Sequence, residues 1–406
     1  MSFKDKVTLS FEAVEGEDFD LERQTVEVAP GVRLLRFIAL YGANASGKSN
    51  LLNVFGLLNV VFFKGEIPSY PDFRFAFNDS SIRQPAEISL VVWNNNIDGG
   101  YKRVEYSISF TTNEILAEMM KIDGEIIFER VDRGGFADIT ISDKSQLNSE
   151  IIGYVKYSCS PKRSLINTLF QINIPDKQSY LLTYEVEKFV QNFNQEKTVN
   201  IINDEIQNLY SVSDEKYVLD VFRNINYDIS DIKRIGNNKY LLSHTTKVND
   251  QSGIYKLTDD QESTGTISFI NALSVLNQYI SDSQTYLFRM DEPDNNLHTA
   301  WFKYYISLFL NNSNRERQMI IATHNAELLD WTNQIIRTDS IWFVDKNDEL
   351  VSDLYSLADF GDLNKIRLFS KAYLYGSFGA VPKIESADLQ DAESVVSNQL
   401  SNLYSD

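Results

Sequence analysis

The chain is short of cysteine: Cys159 is the only one among 406 residues. That excludes a disulfide framework and a cysteine-based zinc site, and it fits a reducing cytoplasm. Positive charge is scarce as well. Lysine and arginine total 38 against 57 acidic residues, giving a formal net charge of −19 and a pI of about 4.7. Broad, non-specific coating of nucleic acid needs a positive footprint, so the balance argues against it; a local basic groove stays compatible with the count. Long apolar runs are missing too. The N-terminal stretch MSFKDKVTLSFEAVEGEDFD holds no signal-like core. The most apolar window, Leu51 to Phe63, is too short to span a bilayer, so no membrane partner is expected.

What is present supports a large folded core. Hydrophobic residues make up 43% and aromatics 12%, enough for two or three domains, and 23% charged residues argue against wholesale disorder.

The most informative stretch runs from Val32 to Lys64. Arg33 to Tyr41 is apolar and β-prone, long enough for one buried strand. Gly42-Ala43-Asn44-Ala45-Ser46-Gly47-Lys48-Ser49 then fits G-x-x-x-x-G-K-[ST]. Leu51, Leu52, Val54, Phe55 and Leu58 recur at helical spacing behind it. Glycines let the backbone curl so that successive N–H groups face phosphate oxygens, and a helix N-terminus beneath adds positive partial charge. Gly42, Asn44, Ala45, Ser46, Gly47, Lys48, Ser49 and Asn50 are therefore the candidate nucleotide-binding residues. Lys48 would reach the β- and γ-phosphates, and Ser49 would offer its hydroxyl to Mg²⁺. The plain alternative is a chance glycine-rich turn, but a strand before and a helix after are the context that this motif requires.

Further along, Thr285 to Met290 is a short, largely apolar run ending in Asp291-Glu292-Pro293. A strand that delivers two adjacent carboxylates suits a P-loop site, with Asp291 on Mg²⁺ and Glu292 orienting or deprotonating water. Gln318 to Ala322 is a third apolar strand, ending in Thr323-His324-Asn325, where His324 could donate to a γ-phosphate. Upstream, Gln261-Glu262-Ser263-Thr264-Gly265-Thr266 opens a helix over Ile267 to Leu276, with Ser263 as a plausible N-cap. Taken alone, an Asp-Glu-Pro turn or a histidine at a strand end is often only structural.

Elsewhere the pattern is coarser. Alternation predicts strands at Lys6–Ala13, Gln24–Val28, Ala86–Trp93 and Arg103–Thr111, continuing at Glu114–Lys121 and Glu125–Arg130. From Ser142 to about Asp231 helical spacing dominates, as in Tyr180–Phe193 and Val199–Tyr210, with many aromatics including Phe170, Tyr184 and Phe189. Ile232 to His244 returns to a strand pattern, and Glu385 to Asp406 is an acidic, serine-rich tail.

The ordered set GANASGKS, ESTGT, DEPDNNLH, ATHN resembles that of ABC-type ATPases, in their soluble OLD-like and SMC/RecF-like branch. FKDKVTLSFEA, THNAELLD and AYLYGSFGAVP extend the resemblance to bacterial abortive-infection ATPases of the AbiLi/RloA type. The resemblance covers roughly residues 3–110 and 235–384. It implies an α/β fold: an ABC-ATPase-like P-loop core, a mixed sheet with flanking helices, and a mostly helical inserted subdomain. The implied division is 1–111 for the core part with the P-loop and 112–234 for the mainly helical insert, then 235–384 for the core part with signature, Walker B and histidine switch, and 385–406 for the tail. It also implies ATP and Mg²⁺, with the nucleotide sandwiched between two protomers. One would give the P-loop, Asp291, Glu292 and His324, and the other Ser263, Gly265 and the loop 294–298.

The chain departs from the pattern in four places. It begins at Met1-Ser2-Phe3 without the strand that precedes this stretch in the family. Arg289 interrupts the usually apolar Walker B strand. No clear Q-loop glutamine stands out beyond Gln84. No Toprim-like nuclease domain follows the core.

Three readings stay open. The first is a defence ATPase of at least dimeric state that senses phage and controls a separate effector encoded nearby. The second is a DNA-repair or DNA-end ATPase, against which the acidic pI counts. The third is a nucleotide-locked scaffold, against which Glu292 counts, because a base is present where a glutamine would stall turnover.

Overall fold

The computed structural model describes residues 3–16, 19–67, 84–95, 99–133, 137–172, 181–191, 212–225, 227–236, 239–248, 251–281 and 287–382. Helix α1 (Leu21–Gln24) leads into an antiparallel ribbon of β1 (Thr25–Ala29) and β2 (Val32–Leu35). β3 (Phe37–Tyr41) follows after one residue but belongs to another sheet. The run Arg33–Tyr41, expected as one strand, is therefore two.

The break falls at Arg36, which is fully buried. Its N–H donates to the Gln24 carbonyl (2.8 Å) and its own carbonyl accepts from Met319 N (2.7 Å), so the chain changes partners at this residue. Its guanidinium donates to the carbonyls of Arg23 (2.7 Å), Leu310 (2.8 Å) and Asn314 (3.1 Å). Those acceptors are what make a buried charge tolerable. The strand expected over Lys6–Ala13 also differs. It is tied to β2 by an isolated bridge, Glu12 to Leu34, in which Ala13 N donates to the Arg33 carbonyl (2.8 Å) and Leu35 N donates to the Phe11 carbonyl (2.6 Å), and it forms no longer ladder among the described residues.

Helix α2 (Lys48–Phe63) follows the P-loop. Next comes an antiparallel meander of β4 (Ala86–Asn95), β5 (Tyr101–Phe110), β6 (Ile115–Ile122), β7 (Glu125–Asp132) and β8 (Ala137–Ile141), paired in chain order. Four helices come after it: α3 (Ser149–Ser158), α4 (Leu165–Gln171), α5 (Leu181–Gln191) and α6 (Val212–Asn224). The stretch 112–234, expected to be mainly helical, thus starts with three strands, because 115–141 alternates in burial and completes the β4–β5 sheet. Tyr180, Phe193, the segment Val199–Tyr210 and the acidic tail lie outside the described residues.

β9 (Ile229–Gly236), β10 (Lys239–Val248) and β11 (Gln251–Thr258) form a three-stranded antiparallel sheet leading to α7 (Thr264–Ser281). The chain then alternates β12 (Leu287–Asp291), α8 (Thr299–Leu310), β13 (Gln318–Ala322), β14 (Ile341–Lys346), β15 (Ser352–Ser356) and α9 (Phe369–Leu374). The central sheet runs β12-β13-β3-β14-β15, parallel except for β15. The expected mixed α/β core with flanking helices is present. Among the described residues no helix is long and apolar enough to cross a membrane.

Parallel strands covered on both faces are apolar throughout, and all five residues of β3 are buried. Their pleat sorts them by face. Phe37, Ala39 and Tyr41 join the core built with α7 and α8, while Ile38 and Leu40 join Leu52 of α2. Helix α2 is two-sided. Leu52 faces the central sheet, whereas Leu57, Leu58, Val61 and Phe62 face the meander and α4–α5 in a second core. Aromatics at helical spacing serve that core: Phe189 lies 5.4 Å from Phe62 and 5.8 Å from Tyr106 between ring centroids. The meander and α4 are fastened by buried Glu118, which accepts from Leu165 N (2.6 Å), Ile166 N (2.9 Å) and the Tyr106 hydroxyl (3.0 Å). Burial raises its pKa, and the two backbone bonds oppose that.

Candidate functional site

The site forms at the C-terminal ends of β3, β12 and β13, where open α/β sheets place their ligands. β3 delivers the P-loop. At Gly42, φ is 158°, and a Cβ there would lie 2.3 Å from the Val344 carbonyl oxygen, so only glycine fits beside β14. Gly47 has φ 121° and Ala45 has φ 60°, a left-handed conformation that costs a non-glycine residue about 1–2 kcal/mol. Two residues far along the chain hold the loop. Lys346 Nζ donates to the Ala45 carbonyl (3.0 Å), and the Ser352 hydroxyl donates to the Ser46 carbonyl. Asn44 and Ala45 are exposed at the crown, Ser46 is buried beneath it, and Asn50 is half-buried in the first turn of α2.

Lys48 folds back over the loop. Its ammonium donates to the carbonyls of Gly42 (2.9 Å) and Ala43 (3.1 Å) and to His324 Nε2 (3.1 Å). Burial lowers its pKa, with Asp291 and Glu292 opposing. Burial and then the Lys48 charge hold His324 below the ordinary histidine value, against the pull of the nearby carboxylates. The neutral ring is the form that accepts from Lys48.

β12 delivers the carboxylates. Asp291 Oδ2 accepts from the Ser49 hydroxyl at 2.6 Å. Glu292 stands at φ 49°, an outlier of the kind that clusters at functional sites, and its N–H continues the ladder to the Ala322 carbonyl (2.8 Å). The turn aims its side chain inward. Glu292 Oε1 lies 3.5 Å from His324 Nε2, and Oε2 accepts from Asn295 Nδ2 (3.1 Å). Thr323 then fastens the next loop by donating to Asp294 Oδ1 (2.8 Å). Lys48, Ser49, Asp291, Glu292 and His324 therefore meet in one cluster.

Ser263 and Gly265 are placed differently. Ser263 Oγ accepts from Thr266 N (3.1 Å), the N-cap geometry its type favours, and Ser263 is exposed at the start of α7. A Cβ on Gly265 would approach the Asn296 carbonyl to 3.0 Å, so this helix start and the loop after Glu292 are packed backbone to backbone. Among the described residues, no hydrogen bond joins Ser263 or Gly265 to Lys48, Ser49, Asp291, Glu292 or His324. His298 caps α8 by accepting from Ala300 N (3.1 Å). Gln84 is exposed and lines a cleft of about 1300 Å³ between the N-terminal segment, β4 and α2, away from the P-loop cluster. Sequence reasoning missed Lys346, Ser352, Thr323 and Asn295. Of these, Asn295 and Thr323 carried a local signal, one within the stretch DEPDNNLH and the other directly before His324.

A family model described as "AAA domain, putative AbiEii toxin, Type IV TA system" matches residues 37–330, from the first residue of β3 to just beyond His324. The chain belongs to this AAA-domain family. No curated protein matches it. Among solved structures it is similar to an SMC head bound to the C-terminal winged-helix domain of ScpA, at 15% identity, covering 82% of this chain and 94% of that one, with a TM-score of 0.38. It is also similar to the SMC head domain from Thermotoga maritima, at 14% identity, with 78% and 89% covered and a TM-score of 0.36. A third is an SMC head with an extended coiled coil, bound to the C-terminal domain of ScpA derived from Pyrococcus furiosus. Its values are 16% identity, 80% and 92% covered, and a TM-score of 0.36. These likenesses are remote.

Proposed function

We propose that this AAA-domain protein binds and hydrolyses Mg-ATP at a site closed by a second copy of the chain, and that the cycle regulates a separate effector in bacterial defence against phage. The observation that carries the catalytic reading is the meeting of Lys48, Ser49, Asp291, Glu292 and His324 at three strand ends. On this reading Lys48 exchanges its carbonyl partners for β- and γ-phosphate oxygens, which bind an ammonium more strongly than neutral carbonyls do. The N–H groups of the P-loop and the N-terminus of α2 add donors. The Ser49 hydroxyl and Asp291 carboxylate are hard oxygen ligands already held together. Two such ligands fit Mg²⁺, which keeps waters and phosphate oxygens for its other positions. When bound, that ion would neutralise charge on the transferring phosphoryl group. On this reading Glu292, which accepts from Asn295, orients and deprotonates the attacking water, and His324 contacts the γ-phosphate.

Closure by a second copy is supported by the exposed start of α7. A helix start carries positive partial charge that suits a phosphate, and no hydrogen bond among the described residues joins Ser263 or Gly265 to the P-loop cluster of the same chain. The defence role rests on the family description and on the AbiLi/RloA-like motifs. Exchanging Glu292→Gln should leave Mg-ATP binding intact and slow hydrolysis by about 10²–10⁴-fold, the usual contribution of a positioned base. It should also abolish plaque protection in cells carrying the neighbouring genes. Wild-type turnover in that variant would overturn the assignment.

A further inference from the structure

The approach to α7 holds a second polar cluster that the ATP site does not use. His244 on β10 is nearly buried, with 12% of its side chain exposed, and both ring nitrogens face carboxylates. Nδ1 lies 3.1 Å from Asp228 Oδ2, and Nε2 lies 2.5 Å from Glu262 Oε1. The second contact is close but not aligned as a hydrogen bond. Glu262 is the residue just before Ser263, and its other oxygen accepts from Ser263 N (3.1 Å).

The contacts close into a ring. Ser263 Oγ is 2.7 Å from Thr266 Oγ1, which is 3.1 Å from the Tyr227 hydroxyl. Tyr227 precedes Asp228 in the chain, and the Asp228 carbonyl accepts from Thr245 N (2.8 Å), next to His244. The ring therefore runs Tyr227, Thr266, Ser263, Glu262, His244, Asp228 and back. Tyr227 is itself fixed between Phe222 of α6 (5.2 Å) and Trp301 of α8 (5.0 Å). Thr266 is buried and Tyr227, His244 and Glu262 are partly buried, whereas Asp228 and Ser263 are exposed.

We infer that His244 is a positioning residue for the ATPase reaction. Through Glu262 it fixes the conformation in which the start of α7 presents Ser263 to the nucleotide on the opposite copy. An ordinary buried histidine–carboxylate contact would affect stability alone. This one ends on the backbone N–H of the residue that must meet the γ-phosphate, so it sets geometry where small displacements cost rate. The inference rests on the two-chain reading above.

The test uses the full-length protein. His244→Ala should keep its affinity for a fluorescent ATP analogue, because Lys48 and Ser49 are untouched, while kcat falls about tenfold, within the range of supporting-network mutations. Glu262→Gln should fall similarly. The double variant should be no slower than the slower single, because both remove one contact. His244→Gln, which restores a donor, should recover part of the loss. Effects that multiply in the double variant would overturn the inference, as would kcat within twofold of wild type in His244→Ala or a parallel loss of nucleotide affinity. If His244→Ala fails to fold, Asp228→Asn and Glu262→Gln are compared by the same cycle. Ser263→Arg, measured alongside, separates the two levels. If it hydrolyses ATP normally, the two-chain reading fails and the role of His244 fails with it. If it is inactive while His244→Ala is normal, only the positioning role fails.

Discussion

Complementation between two inactive variants tests the shared site most directly. Lys48→Ala removes the ammonium from the P-loop but leaves the start of α7 intact. Ser263→Arg does the reverse; Ser263 is exposed, so the larger side chain has room in solvent, at the cost of the cap bond from Thr266 N, about 0.5–2 kcal/mol. Each homodimer carries a lesion in both of its sites. A mixed dimer collects both lesions in one site and leaves the other whole. Random two-fold association makes half of the dimers mixed, each with one working site out of two, so an equal mixture should recover about a quarter of the wild-type rate. The assay is phosphate release at saturating Mg-ATP, with mixed dimers verified by orthogonal affinity tags. Recovery no greater than the sum of the two parents, with association shown, would refute a site built across chains. Full activity of Ser263→Arg alone would do the same.

Other outcomes follow from packing and charge. Phe62 is fully buried against Tyr106 and Phe189, at 5.2 and 5.4 Å between ring centroids, so Phe62→Ala should cost about 3–5 kcal/mol in urea unfolding. It lies 14 residues after Lys48 (62 − 48), about 21 Å along α2, so nucleotide affinity of the folded variant should change little. Gly42→Ala would force a methyl to 2.3 Å from the Val344 carbonyl oxygen and should abolish nucleotide binding. His324 is held below the ordinary histidine value, so the stability it contributes is fully present above that value and is lost as pH falls toward the lowered one. Its acid limb in kcat/KM should therefore fall below the usual histidine range and vanish in His324→Gln. Because the Lys48 pKa is lowered, ATP affinity should decline on the alkaline side earlier than an ordinary lysine would dictate.

Much of the core was legible because it is local. The spacing of Gly42, Gly47, Lys48 and Ser49 is fixed by the loop's own geometry, and the strand–loop–helix order sits within some thirty consecutive residues, from β3 to the end of α2. Gln318–Ala322 appears as β13 with the boundaries its run predicts, because Met319 to Ala322 are buried as in a parallel strand covered on both faces. The cluster itself was legible as residue types: carboxylates and a histidine at the ends of apolar strands.

Pairing partners were not legible, because periodicity reports which face is buried and not what buries it. One apolar run became β2 and β3 only because Arg36 finds the Leu310 carbonyl, 274 residues away, at the moment the chain changes sheets. Lys346 and Ser352 support the P-loop from about 300 positions downstream. His244 meets Asp228 and Glu262 only because β10 runs between the segments that carry them. The sequence by itself determined the phosphate loop, the carboxylate pair and the mixed α/β class, since each follows from neighbours along the chain. Tertiary structure alone decided how that loop is braced and how the start of α7 is aimed, because those contacts exist only once distant strands share a sheet.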